Sequence, residues 1–232
     1  MGIKIFCFSG SGNSLSVAKY LSEKLDAEIV EISYDETLYE AKVSIVIFPV
    51  YCQNIPSVVI NFLRRLKGKY AVLIATYGKI SHGNVLYEVS QMLGPDLIGA
   101  AYIPMKHTYS DLNLNNKHLF ETEPLQKIIE RINFPQKIFL PKCKKNLFAG
   151  FFPTWRSRVA LKIIRNSNCN SCGLCENKCS FNAIKKGITN KKCIRCLRCV
   201  KLCPNNALYI KKSLILKMYL HNEKDKSAEL YL

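Results

Sequence analysis

Between Cys169 and Pro204 the chain sets eight of its eleven cysteines in two matching runs. The first is Cys169, Cys172, Cys175 and Cys179; the second is Cys193, Cys196, Cys199 and Cys203. Each reads C-x2-C-x2-C-x3-C, and Ser180 to Lys192 separate them. That interval suits a [4Fe–4S] cube, whose iron corners each take one soft thiolate. Three thiolates can come from one tight loop when two residues separate each pair. The fourth must come from elsewhere, because the loop cannot close around the cube. Disulfides are the wrong reading for a chain that nothing marks as secreted. Zinc is the other rival, but its sites are usually built from two pairs of ligands rather than from evenly spaced triplets.

The doubled run resembles that of bacterial two-cluster ferredoxins. The resemblance implies that the fourth cysteine of each run serves the other cluster. One cluster then takes Cys169, Cys172, Cys175 and Cys203, and the other takes Cys193, Cys196, Cys199 and Cys179. Such crossed ligation lets a small domain with little apolar core fold around its metal. The second run ends Cys203-Pro204, as the ferredoxin pattern does; the first ends Cys179-Ser180, which keeps the ligand but restrains the turn less.

Charge divides the chain at about the same place. Residues 1–140 carry 14 Lys and Arg against 13 Asp and Glu, whereas residues 141–232 carry 20 against 4. The field of the second half attracts acidic proteins, anionic lipid or nucleic acid. Two oxidised clusters offset part of it, at about −2 each with their thiolates. No run is long enough to span a bilayer. Met1 to Phe8 lacks the build of a signal peptide, and Phe6 stands where a myristoylation signal needs Ser or Thr. A cytoplasmic, reducing setting is the expectation.

The first half alternates strands and helices. Strands are expected at Lys4–Phe8, Ala27–Ser33, Val43–Phe48, Tyr70–Thr76 and Leu97–Met105. Helices are expected near Leu15–Leu25, Ser57–Leu66, Val85–Leu93 and Lys117–Arg131. Five strands in this βα order argue an α/β doubly wound, five-stranded parallel sheet. Ligands of such sheets bind at the carboxyl ends of the strands. Three loops lie there. The first, Ser9-Gly10-Ser11-Gly12-Asn13-Ser14, joins a strand to a helix N-terminus and makes an anion cradle. It lacks the lysine of a P-loop and the spacing of a dinucleotide fingerprint, so a single phosphate suits it better.

That loop resembles the phosphate loop of flavodoxins, Ser/Thr-Gly-Thr/Ser-Gly-Asn-Thr/Ser, and the resemblance covers about residues 1–135. It implies a flavodoxin-like fold and FMN, with Ser9, Gly10, Ser11, Gly12, Asn13 and Ser14 around the phosphate. It also implies that Tyr51, Cys52, Gln53 and Asn54, together with Tyr77 and Gly78, flank the isoalloxazine. Flavodoxins are usually acidic, whereas this half is neutral.

The expected organisation is therefore a flavodoxin-like domain over 1–135, a basic and aromatic linker over 136–165, a small α+β two-cluster ferredoxin domain over 166–211, and a tail over 212–232. Within the linker, Phe148 to Trp155 is aromatic and Thr154 to Arg165 can form a basic amphipathic helix. The tail can form a helix against the first domain. Cys7 reads as a small core residue, Cys143 has no obvious partner, and His82 is placed to approach the flavin, while His107, His118 and His221 carry no pattern. As a whole the chain resembles a flavodoxin–ferredoxin fusion. The resemblance implies an intramolecular electron carrier that passes electrons between FMN and two [4Fe–4S] clusters and on to a redox protein partner, an acidic one suiting the basic half. No nucleic acid is expected. Two other functions fit parts of the chain. One is an FMN-dependent oxidoreductase acting on NAD(P)H or a small substrate. The other is a nucleic-acid-associated redox sensor, suggested by the basic half.

Overall fold

The computed structural model describes residues 2–110, 120–143 and 153–232. The apolar runs of the first half form the central strands, buried on both faces as a parallel sheet requires, with the half-exposed strand Glu28–Glu31 at the edge. They are β1 (Ile3–Cys7), β2 (Glu28–Glu31), β3 (Tyr39–Pro49), β4 (Leu66–Tyr77) and β5 (Asp96–Pro104). β1 lies between β2 and β3, β4 follows β3, and β5 follows β4, all in parallel. Side chains alternate across the sheet. Phe6, Phe8, Val46 and Phe48 meet α2 (Ser57–Leu63) and α3 (Val85–Ser90) on one face. Ile5, Cys7, Ile45 and Ile47 meet α1 (Asn13–Leu25) and α4 (Glu123–Asn133) on the other. Each such buried large side chain contributes about 1.5–3 kcal/mol.

Three sequence expectations need correction. The sheet has six strands, because β10 (Glu229–Tyr231) from the tail pairs antiparallel with β5, placing Leu230 opposite Ala101. An edge strand leaves backbone groups open, and this tail closes them; three residues are too few to carry an alternation signal. Second, the last helix of the first half starts at Glu123, with Pro124 in its first turn. Residues 117–119 of the expected helix lie outside the described residues, as does the aromatic stretch 148–152. Third, the expected helix over Thr154–Arg165 ends at Ala160. α5 (Pro153–Ala160) runs directly into β6 (Leu161–Arg165), which pairs antiparallel with β9 (Leu208–Lys212). Leu161 is fully buried there, while Lys162 faces solvent.

The cysteine-rich part is a small second layer built on that β6–β9 pair. It adds α6 (Leu174–Asn177), the hairpin β7 (Ile184–Lys185) and β8 (Ile188–Thr189), and α7 (Arg198–Leu202). Its core is slight: Leu161, Ile184, Leu197, Val200, Leu208 and Leu216, packed with Cys175, Cys179, Cys199 and Cys203. Leu216 comes from α8 (Leu214–Leu220), whose N-terminus Ser213 Oγ caps by accepting the Leu216 N–H at 3.2 Å. Among the described residues no helix is long and apolar enough to cross a membrane.

Candidate metal centre

The two cysteine runs repeat each other in backbone as well as in spacing. Ser171 (φ 59°) matches Arg195 (φ 61°), Gly173 (φ 77°) matches Leu197 (φ 62°), and Asn182 (φ 47°) matches Asn206 (φ 48°). A left-handed residue inside each C-x2-C step turns the chain so that successive thiols face the same side. For Arg195 and Leu197 that conformation costs about 1–2 kcal/mol apiece. The cost is met by context: Arg195 is buried, its Nε donating to the Leu161 carbonyl at 2.9 Å and its Nη1 to Thr189 Oγ1 at 3.0 Å.

Each run closes a cavity with one cysteine from the other. Cys169, Cys172 and Cys175 line one small cavity with Cys203. Cys193, Cys196 and Cys199 line another with Cys179. Each run thus gives three cysteines to one cavity and a single cysteine to the other. The two exchanged cysteines are held alike: the Ala183 N–H donates to Cys179 Sγ at 3.3 Å, and the Ala207 N–H to Cys203 Sγ at 3.2 Å. Burial pushes the Cys199 thiol up to about 12, and Cys196, Cys193, Cys179 and Cys175 add to the effect. Burial likewise raises Cys196 to about 11. Thiolates so close repel one another unless cationic metal stands between them. Among the described residues no three His, Cys, Asp or Glu side chains converge as ligands of a single ion do; the thiols surround a volume.

The cavities face different surroundings. Phe8, at the end of β1, lines the second cavity, and among the described residues none of the first half lines the other. Cys172 is exposed and Cys193 buried. Phe181 packs edge-on against Phe8 (6.0 Å between centroids) and Tyr34 (5.8 Å). Arg198 crosses the junction: its guanidinium lies 5.6 Å from the Phe8 ring centre and pairs with Glu31 at 2.5 Å. Its Nη2 donates to the Ser9 carbonyl at 2.6 Å. Lys201 Nζ donates to the Ser11 carbonyl at 2.9 Å, and Tyr109 Oη to the Arg195 carbonyl at 2.8 Å. The second cavity therefore sits directly on the glycine loop.

That loop follows β1, where the connection from β1 to β2 and that from the neighbouring β3 to β4 leave in opposite directions; this switch point is where doubly wound sheets take ligands. Gly12 has φ 105°, which only glycine adopts freely. Ser9 Oγ accepts from the N–H groups of Gly12 (3.1 Å) and Leu15 (3.3 Å), so it caps α1. Ser11 Oγ meets Thr108 Oγ1 at 2.9 Å, and the buried Ser14 Oγ meets Thr76 Oγ1 at 2.8 Å. Asn13 Nδ2 donates to the Lys106 carbonyl, while its buried Oδ1 has no partner among the described residues. A Cβ on Gly10 would lie 2.6 Å from Tyr51 Oη and from the Cβ and carbonyl of Cys196.

The other predicted loops also come together. Tyr51 and Asn54 exchange backbone hydrogen bonds around Cys52 (φ 51°) and Gln53 (φ 61°), a tight turn with two left-handed residues. Gln53 lies against Gly83, which brings this turn to the loop after β4. Tyr77 is buried beneath that loop, edge-on to His82 and Tyr102, with Lys226 over its ring. Gly78 packs on His107. His82, expected near the flavin, stacks on Tyr102 and bonds Glu229 of β10 at 2.9 Å.

Sequence reasoning missed Arg198, Lys201, Tyr109 and Thr108. Nothing in a Lys-rich stretch distinguishes the two cations that turn inward.

Residues 187–209 match the family of 4Fe-4S binding domains. A 46-residue stretch is 44% identical to a polyferredoxin-like protein of Methanocaldococcus jannaschii. It spans 20% of this chain and 22% of that protein, about a fifth of each. These similarities support at least one [4Fe–4S] cluster in the C-terminal, ferredoxin-like part.

Proposed function

We propose that the chain is an electron carrier with two [4Fe–4S] clusters. Cys169, Cys172, Cys175 and Cys203 hold one; Cys193, Cys196, Cys199 and Cys179 hold the other. The observation that carries this reading is the exchange of the fourth cysteine between two small cavities. Each cluster supplies one-electron chemistry. The protein's part is to fix the thiolates, donate N–H groups to Cys179 and Cys203, and exclude water from the second cavity with Phe8, Ile163, Phe181 and Ile194. The first cavity faces outward beside exposed Cys172, with Lys185 and Lys186 next to it. It serves as the port for an acidic redox partner. A reducing cytoplasm suits eleven free cysteines.

We further propose that the first half is flavodoxin-like and takes FMN at Ser9–Ser14. The strand order β2-β1-β3-β4-β5 supports the fold, and the loop's place at the switch point supports the site. The loop fits a phosphate group: over Gly12 stands only the flexible end of Lys201. The ring end is more confined, since Tyr51 and Cys196 crowd Gly10. Bound there, FMN would supply one- and two-electron transfer.

Anaerobic purification followed by iron, sulfide and flavin analysis tests both parts. About eight irons and one FMN per chain are expected from the ligand count. About four irons would leave a single cluster, and absence of flavin at full iron loading would remove FMN alone.

A further inference from the structure

We propose that Lys201 and Arg198, carried by the cysteine module, are the charge partners of a phosphate group held by the glycine loop, so that the anion site is shared between the two halves of the chain. The inference rests on the phosphate reading of Ser9–Ser14.

The argument is an imbalance of charge. The N-terminus of α1 carries about half a positive charge. Lys201 Nζ points at the same loop, 2.5 Å from where a Cβ on Gly12 would stand, and donates to the Ser11 carbonyl. Among the described residues no carboxylate lies within ion-pair range of it. Arg198 donates to Ser9 on the other side of the loop; its carboxylate partner, Glu31, is 60% exposed. Two cations and a helix end thus converge with one solvated carboxylate between them. Removing cations from water without a matching anion is unfavourable. A phosphate dianion resolves the imbalance, and no carbonyl oxygen can.

The geometry gives the size of the group. Only the tip of the Lys201 side chain stands over Gly12, so a rotation of that chain opens the seat. The Gly10 side is closed by the backbone of Cys196. The opening therefore admits a phosphate monoester end-on. Asn13, the first residue of α1, is buried, and its Oδ1 has no partner among the described residues. Lys201 would pass from the Ser11 carbonyl to the phosphate, and a ligand bonded to both halves strengthens their docking.

The test uses the cluster-loaded full chain under anaerobic conditions, with FMN and inorganic phosphate as separate probes in equilibrium dialysis. Lys201→Met is expected to weaken both by about tenfold or more, the loss of one charge-assisted hydrogen bond. Lys201→Arg should restore most of the affinity. Lys19→Met, which removes an exposed charge nearby, should change it by less than about threefold because solvent screens it. Iron content and cluster absorbance, unchanged in Lys201→Met, separate this effect from cluster loss. A measurement without any variant is hydrogen exchange of the amides of α7, expected to slow in phosphate relative to chloride at equal ionic strength. Equal or tighter binding by Lys201→Met would make Lys201 a plug and overturn the proposal, as would unchanged exchange. Phosphate binding that depends on Lys201 without FMN binding sustains the shared site and removes the flavin. FMN binding indifferent to Lys201 does the reverse, and binding of neither probe removes both.

Discussion

Arg198 Nη2 and the carbonyl of Ser9 are 2.6 Å apart, though the residues are 189 positions apart in the chain. This contact fastens the cysteine module to the end of β1. The same guanidinium pairs with Glu31 and also reaches Ser180 Oγ at 3.1 Å. One side chain thereby ties β1, β2 and both cysteine runs together. Arg198→Leu keeps the bulk over Phe8 and removes the hydrogen bonds. It should destabilise the cluster-loaded protein by about 1.5–3 kcal/mol, as loss of charge-assisted bonds does. Denaturant unfolding at unchanged iron content measures it, and an unaltered midpoint would assign the docking to other contacts.

The crossed cavities make a non-additive prediction. Cys179→Ser and Cys196→Ser each remove a ligand from the same cluster, so the double variant should keep about four irons, as each single does. Cys179→Ser with Cys172→Ser strikes both clusters and should leave almost none. Iron analysis with spectroscopy of the reduced protein decides it. If the pairings behaved the other way round, each run would hold its own fourth ligand.

Gly10 is the tightest point between module and loop. Gly10→Ala sets a methyl against the Cβ and carbonyl of Cys196 and against Tyr51 Oη, all at 2.6 Å. The backbone carbonyl cannot swing aside. An overpacking cost of about 1–3 kcal/mol is expected, borne by the docking rather than by the sheet. Small-angle scattering should record a larger radius of gyration while far-ultraviolet dichroism stays the same.

Asp35 gives a sign for acid stability. Burial alone would raise its pKa, but hydrogen bonds from Ser33, Tyr39 and Arg65 and from the Thr37 N–H hold its carboxyl far below the usual carboxylate range. A depressed folded-state pKa stabilises above the unfolded value of about 4 and is lost as pH falls below it. Asp35 is solvated enough that the effect is modest. From about pH 4 downward the wild type should lose stability more steeply than Asp35→Asn, followed through the aromatic signal of the first half. Parallel curves would place the acid transition elsewhere.

Removing residues 229–232 takes away β10 and the His82–Glu229 contact, and reopens the β5 edge. A loss of about 2 kcal/mol, or about 4–8 °C in Tm, is expected for a few backbone bonds. Aggregation on standing should accompany it, because an open edge strand pairs with other chains. An unchanged melt would show that β5 needs no cover.

The parts legible in the sequence were those with local causes. The parallel strands were readable because burial on both faces demands long apolar runs such as Val43–Phe48. The glycine loop was readable because a strand must turn into a helix there, and the clustering of the thiols because each run brings three of them together within seven residues. Elements whose cause lies far along the chain were not. Leu161–Arg165 looked like the end of a basic helix until β9 was available to pair with it. Glu229–Tyr231 is too short to signal a strand and becomes one only beside β5.

Eight thiols in duplicate, a loop of small donors and an α/β half were thus determined by the sequence itself, since each depends on residues within a few positions of one another. Which cysteine crosses to which cavity was an expectation by resemblance until Cys179 and Cys203 were seen to line opposite cavities. That Arg198 and Lys201 turn inward, onto Ser9 and Ser11, was decided by tertiary structure alone. A lysine or arginine in a basic stretch reads the same whether water or a loop carbonyl solvates it, and only the folded arrangement chooses between them.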